Sequence, residues 1–285
     1  MPAARKHPIE RFDAPMAITA GQPLKALFDD RLVRLIGQSF NAVHDGFELR
    51  RFRKRACEGL GDGTMIERAA HIADALADEL PDDFAAASEV LIAALGPPLT
   101  STDGNGLRGL FYMPHASYVA KHGPAHFEAG MAANYELTRR FTAEFSVRPF
   151  IERHQRRTLA RLRKWTKDAD PHVRRLCSEG TRPRLPWAAR LPVLQADPAL
   201  AGPLLDALKD DPELYVRRSV ANHLGDVCKD HPDEVYALCE RWLREVEGAD
   251  GQRAKQRHWM IRHAVRLPAK KRVPEALDLR ARARP

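Results

Sequence analysis

Carboxylates and arginines interleaved at helical spacing give this 285-residue sequence its clearest chemical potential. Arg218, Asn222 and Asp226 recur every fourth residue, on a wheel about 200° away from the apolar row Val216, Val220, Leu224 and Val227 at ~100° per residue. The apolar row is predicted to face the core and the polar row to lie on the surface. Forty-three residues earlier, Arg218 corresponds to Arg175 and Asn222 to Glu179. Arg140, Glu144 and Arg148 form a similar row beside Phe141 and Phe145. Arginine there suits phosphate, because its rigid fork matches phosphate oxygens. Carboxylates repel phosphate and need another reason. Two readings are open: Arg175, Glu179, Arg218 and Asp226 form salt bridges within and between repeats, or the acids belong to an active site rimmed by basic anchors.

Trp187 offers an indole face, which attracts a cationic partner by about 0.5–2 kcal/mol. Its plainer role is packing in a core or loop, as for most large aromatics. It closes a segment rich in Arg and Pro, Thr181–Trp187, whose prolines would hold arginines outward. Arg148, Arg182, Arg184, Arg190, Arg218, Asn222, Lys255, Arg257 and Arg262 are the candidate contacts to a phosphate backbone. Contacts of this kind position a protein and make affinity salt-dependent without reading sequence. Trp165 is assigned to the core, and core is also the better place for Trp242 and Trp259.

Other chemistries lack support. His122 and His126 have the i, i+4 spacing of zinc ligands, but Gly123-Pro124 breaks the helix between them and no HExxH glutamate is present. No metal and no cofactor is expected. Cys177 and Cys228 fall on apolar rows and read as small core residues. No GxSxG, P-loop or GxGxxG segment occurs.

The elements that must position these residues are helices. Apolar residues three and four apart, as in Leu24-Leu27-Phe28, Leu32-Leu35-Ile36 and Ile66-Ala69-Ala70-Ala73-Leu76-Leu80, mark one helical face. No strand pattern is evident. Pro81 and Gly96-Pro97-Pro98 punctuate the chain, and residues 101–109 have loop chemistry. The internal repeat is the most informative feature. Asp170-Pro171-His172-Val173-Arg174-Arg175 is echoed by Pro212-Glu213-Leu214-Tyr215-Val216-Arg217-Arg218 at an offset of 43 residues. The same offset pairs Leu162 with Leu205, Trp165 with Leu208 and Asp168 with Asp211. A third unit, Trp259 to Leu267, matches only at Ala264 and Leu267. Paired helices with a period of about 40–47 residues indicate HEAT or armadillo repeats, which stack into a solenoid with a concave binding face. The fold is predicted to be an all-α, HEAT-like superhelix. Residues 1–100 form an N-terminal helical region, continuous with a repeat region over 101–285 that carries the site.

The net charge of +8 and pI of about 9.5 favour a polyanionic partner. Four scattered cysteines without CxxC spacing suit reduced thiols. With no signal-peptide pattern and no apolar run approaching the ~18 residues of a membrane span, a cytoplasmic protein with no membrane partner is expected.

Three segments resemble one family. Phe141-Thr142-Ala143-Glu144-Phe145-Ser146-Val147-Arg148-Pro149-Phe150-Ile151 is similar to a helix with a Glu and an Arg-Pro-Phe end. The segment from Val173-Arg174-Arg175 through Cys177-Ser178-Glu179-Gly180-Thr181-Arg182-Pro183-Arg184-Leu185-Pro186-Trp187 is the closest match. Tyr215-Val216-Arg217-Arg218-Ser219-Val220-Ala221-Asn222-His223-Leu224 follows at the family's spacing. With Pro23-Leu24-Lys25 and the loop near Ser101, the resemblance to the AlkC branch of the AlkC/AlkD-type DNA glycosylases covers nearly the whole chain. It implies a HEAT-like enzyme that excises cationic N-alkylated bases, 3-methyladenine foremost, from double-stranded DNA; a monomer is the default expectation for an asymmetric solenoid. The implied active-site positions are Glu144, Arg175, Glu179, Trp187 and Asp226. On this reading Glu179 and Asp226 share one hollow beside Trp187, stabilise an oxocarbenium-like sugar and position water. The alternatives are a non-catalytic HEAT-like nucleic-acid-binding protein and a protein-interaction scaffold.

Overall fold

The computed structural model describes residues 6–284, and among them every regular element is helical. The α-helices are α1 (Asp30–Asn41), α2 (Leu49–Cys57), α3 (Met65–Ala77), α4 (Phe84–Ala93), α5 (Met113–His122), α6 (Phe127–Thr138), α7 (Arg148–Trp165), α8 (Pro171–Glu179), α9 (Pro192–Ala196), α10 (Gly202–Leu208), α11 (Leu214–Val227), α12 (Pro232–Arg244), α13 (Gln252–Ala264), α14 (Arg266–Lys270) and α15 (Pro274–Arg282). The chain forms two compact units, Met1–Arg153 and His154–Pro285. The division falls inside α7, where the backbone of His154 leaves helical values (φ −135°, ψ 46°). None of the described helices is long and apolar enough to cross a membrane.

Local chemistry sets the helix starts. Asp29, Asp83 and Asp170 accept from the first-turn amides of α1, α4 and α8, and Thr64 with Glu67 forms a reciprocal capping box on α3. Proline, which has no amide hydrogen to lose in the first turn, opens α8, α9, α12 and α15.

In the first unit, α1 buries Leu32, Leu35 and Ile36 as its periodicity predicts. The buried face of α3 is Ala69, Ile72, Ala73 and Leu76, while Ile66 lies exposed on the capped first turn. Residues 101–107 are irregular, with Gly104 and Gly106 at φ +75° and +57°, values that side chains disfavour. His122 ends α5 and His126 lies beyond a 3₁₀ turn, so one helix does not carry both. No group of three metal-ligating side chains occurs among the described residues.

One expectation is corrected here. Residues 139–147, read as a helix, are a series of turns between α6 and α7. Thr142 Oγ1 accepts from the amide of Glu144 at 3.2 Å and donates to its carboxylate at 2.8 Å. A threonine folded onto its own backbone in this way competes with helix formation.

The second unit contains the repeat. Helices α8, α11 and α13 lie side by side with α11 in the middle, and α10, α12 and α15 pack behind them. Val216, Val220, Leu224 and Val227 are buried as expected, and so are Leu162, Leu205 and Leu208. Trp242 is in the core, whereas Trp165 and Trp259 are half-buried. The repeat recurs in its hydrogen bonds. Arg174 donates back to Asp168 O (2.9 Å) and Ala169 O (3.0 Å), and Arg217 donates to the equivalent carbonyls of Asp211 and Pro212. Arg174 also grips Asp211 of the following repeat at 2.6 Å. The position one repeat beyond Asp211 is Ala254, inside α13, and the buried Arg217 Nε has no acceptor.

His115 is wholly buried in the first unit, stacked on Phe40 at 5.3 Å, with neither ring nitrogen hydrogen-bonded. Burial, reinforced by the charge of His7, pushes its pKa down from 6.5 to about 3. The folded state therefore favours neutral imidazole. That contribution is complete above pH 6.5 and is lost as the pH falls toward 3, by up to about 1.4 kcal/mol per pH unit. We expect His115→Phe to flatten the fall in urea midpoint between pH 6.5 and pH 4. An unchanged slope would place the acid sensitivity elsewhere.

Candidate functional site

The chain turns sharply after α8. Thr181 Oγ1 donates to Cys177 O at 2.8 Å, closing the last turn. Pro183 offers no amide hydrogen and disfavours helical geometry at the residue before it. Arg182 is thereby aimed back between α8 and α11. Its Nη1 lies 2.6 Å from Glu179 Oε1, and its Nε donates to Asp226 Oδ2 at 2.7 Å. One guanidinium thus bridges the two carboxylates that the sequence put forward.

Each carboxylate has further partners. Glu179 accepts from Ser219 Oγ at 2.6 Å and faces Arg175 Nη2 at 3.3 Å, and the Arg175 guanidinium lies over the Tyr215 ring. Asp226 accepts from Lys229 Nζ at 2.9 Å. Burial alone would raise the Glu179 pKa, but Arg175, Arg182 and the Ser219 hydroxyl outweigh it and hold the carboxyl below its ordinary value. Below this layer, burial drives the His223 pKa down to about 4, and its Nδ1 sits 3.0 Å from Ser178 O. The ring is neutral at pH 7. Toward α13, Asn222 Oδ1 accepts from Arg266 Nη2 and lies the same 3.1 Å from His263 Nε2, and Trp259 stacks on His263.

The wheel placed Asp226 on the surface, but it is only 4% exposed and Glu179 only 5%. Helix α11 is flanked on both sides, by α8 and α13, so Asn222 and Asp226 of its polar row meet neighbouring side chains, while Arg218 stays exposed. Three cations surround two acids, and the sites are ion-paired rather than open.

The proposed DNA contacts divide similarly. Arg190, Arg218 and Lys255 are exposed. Arg257 is the clear correction: it is 0% exposed, bonded to Asp210, Glu245 and Trp242 O, and stacked near the Trp242 ring. Its role is to hold the core. Arg182 is likewise buried, by its two carboxylates. Arg148 is buried in the first turn of α7. Arg184 forms a bidentate pair with Asp230, and Arg262 donates to Ala283 O. Glu144 is half-buried in the first unit. Trp187 is 56% exposed, at the tip of the segment between α8 and α9, with a left-handed φ of +63°. A groove of about 880 Å³ in the second unit, lined by Arg163, Lys167, Leu205, Leu224, Val235 and Arg241 among others, includes none of the proposed site residues.

Sequence reasoning missed Ser219, Lys229 and Asp230. Ser219 and Asp230 meet their partners through tertiary packing, 40 residues from Glu179 and 46 from Arg184, whereas Lys229 reaches Asp226 locally, three residues away, and that spacing was overlooked.

No family model matches the sequence. The chain is 33% identical over 257 residues to the Bacillus subtilis (strain 168) protein YhaZ, itself uncharacterized, spanning 90% of this chain and 67% of that one. Among solved structures it is similar to the Pseudomonas fluorescens alkylpurine DNA glycosylase AlkC, bound to DNA containing an abasic site analog. That match has a TM-score of 0.79 and 36% identity, and it spans 91% of this chain and 68% of the other.

Replacing Arg182 with Met would leave two buried carboxylates short of their shared partner. Breaking a buried pair from one side typically costs about 3–5 kcal/mol. We expect Arg182→Met to lose stability on that scale in urea denaturation. A loss below about 1 kcal/mol would mean that the cluster behaves like surface ion pairs.

Proposed function

The chain belongs to the AlkC family, and from that premise we propose that it is a DNA glycosylase that excises alkylated purines. The observation that carries this reading is its 36% identity and common fold with a glycosylase captured on DNA with an abasic site analog, the product state of base excision. The surplus of positive charge suits the same partner.

We assign 3-methyladenine as the preferred lesion and hydrolysis without a covalent intermediate as the chemistry. A purine methylated at N3 is cationic, and its glycosidic bond breaks toward an oxocarbenium-like sugar with little help from an acid. What the reaction needs is negative charge near the sugar and a positioned water. Glu179 and Asp226 supply both, Glu179 chiefly for charge and Asp226 as its partner. Arg182 keeps both aimed and, with Arg175, keeps Glu179 ionised. Arg175 and Lys229, at the margin of the cluster, are placed to exchange a carboxylate for a DNA phosphate, which would free carboxylate oxygens for sugar or water. Trp187 lies against the cationic base, and Arg190, Arg218 and Lys255 contact the backbone.

The saturation of both carboxylates by arginine, lysine and serine favours a second reading, in which the same surface binds DNA without cleaving the glycosidic bond. Release of free base from methylated duplex DNA separates the two. The glycosylase reading expects 3-methyladenine release, and Glu179→Gln or Asp226→Asn should lower kcat by about 10²–10³. Binding to the duplex should weaken steeply with salt. No free base from folded, DNA-binding protein would leave the binding reading standing. No salt-dependent affinity would leave only a protein-interaction scaffold.

A further inference from the structure

The segment that carries Trp187 is tied down on both sides by a single carboxylate. Before the tryptophan, Arg184 donates to Asp230 through Nε (2.9 Å) and Nη2 (2.6 Å). After it, Gln195 Nε2 reaches the same carboxylate at 3.4 Å, and His231 Nε2 lies 2.6 Å from Gln195 O. The neck of the segment is closed by Leu191 N donating to Pro183 O at 3.2 Å. Asp230 sits in the turn between α11 and α12, one turn of chain beyond Asp226. The two arginines flanking Pro183 therefore dock on two aspartates four residues apart.

At the tip, Trp187 and, elsewhere, Arg272 are the non-glycine residues with positive φ among those described. A left-handed backbone at a bulky aromatic persists only where the surroundings over-determine it. The exposed indole contributes little anchoring of its own. One long turn hydrogen bond, Ala188 N to Leu185 O at 3.4 Å, spans the tip, and the limbs supply further restraint, with Asp230 where both limbs meet.

We propose that the Arg184–Asp230–Gln195 clasp is a positioning device for Trp187, holding the strained turn and presenting the indole to a cationic purine. Asp230 and Arg184 are positioning residues: they act through Trp187 and do not touch the base. This assignment removes Arg184 from the phosphate contacts. The ligand part of it rests on the excision reading above, whereas the clasp itself does not.

The test uses the full chain labelled with 5-fluorotryptophan, whose four fluorine lines are assigned by comparison with Trp187→Phe. Asp230→Ala and Arg184→Ala should each shift or broaden the Trp187 line while those of Trp165, Trp242 and Trp259 hold their positions. Asp230→Glu, which keeps the charge, should restore the line. In base-release assays Asp230→Ala should lower kcat/KM by about tenfold to 10²-fold, the range that misplacing a substrate-positioning group costs, with KM carrying more of it than kcat. An unchanged Trp187 line in Asp230→Ala overturns the clasp. So do all four lines moving together, which would make Asp230 a general stabiliser. If the wild-type protein releases no base, the excision reading fails, and the fluorine spectra still decide whether the clasp exists.

Discussion

A guanidinium held between two buried carboxylates is the interaction on which the second unit depends. Removing three charged groups from water costs several kcal/mol per ion, which is recovered only when geometry and secondary hydrogen bonds are both good. Both conditions are met. Arg182 supplies separate N–H groups to Glu179 and Asp226, and Ser219 and Lys229 occupy remaining carboxylate oxygens. Lysine could not do the same, because its ammonium is a point charge without a planar fork. The bridge fixes the register of α8 against α11 and the direction in which the chain leaves α8.

The same arrangement shapes the chemistry available to the protein. A carboxylate that is to act on a developing sugar cation must be ionised and aimed before substrate arrives, since reorientation during the reaction is costly. Arginine neighbours and a serine hydroxyl secure both properties for Glu179 in the face of its burial. The opposing effect is that the acids are neutralised at rest. In the proposed reaction DNA phosphates compete for the marginal cations, so that binding the backbone and exposing the carboxylates become one event. Arg175 and Lys229, which are more accessible than Arg182, are the groups suited to that exchange.

Much of this was legible in the sequence. The 43-residue offset identified the helical pairs, because Arg174 and Arg217 are fixed by local contacts to carbonyls five and six residues before them. The apolar row of α11 was legible because periodicity reports burial directly. The repeat rows brought Glu179 and Asp226 together but left salt bridges and an active site as open readings, and only the family resemblance implied a shared site. The failures share a cause. A wheel assigns a face to one helix but does not say how many neighbours that helix has, so Asp226 was placed on the surface of a helix that is flanked on both sides. Arg257 was read as a surface charge because charge alone says nothing about Asp210, 47 residues away. The turns around Glu144 hinge on one threonine hydroxyl, which weighs little in a pattern of apolar spacing.

Because the arginine of one repeat takes the aspartate of the next, the linkage has a direction and a terminus. Arg217 marks that terminus: it is poised like its predecessor, yet its Nε reaches no acceptor. A copy of the α10–α11 pair duplicated in tandem at this junction would arrive with its own aspartate in the required place. The array is thus already primed on one side for lengthening by duplication, while its present last step, α13 against α11, is joined by different chemistry through Asn222, His263 and Arg266.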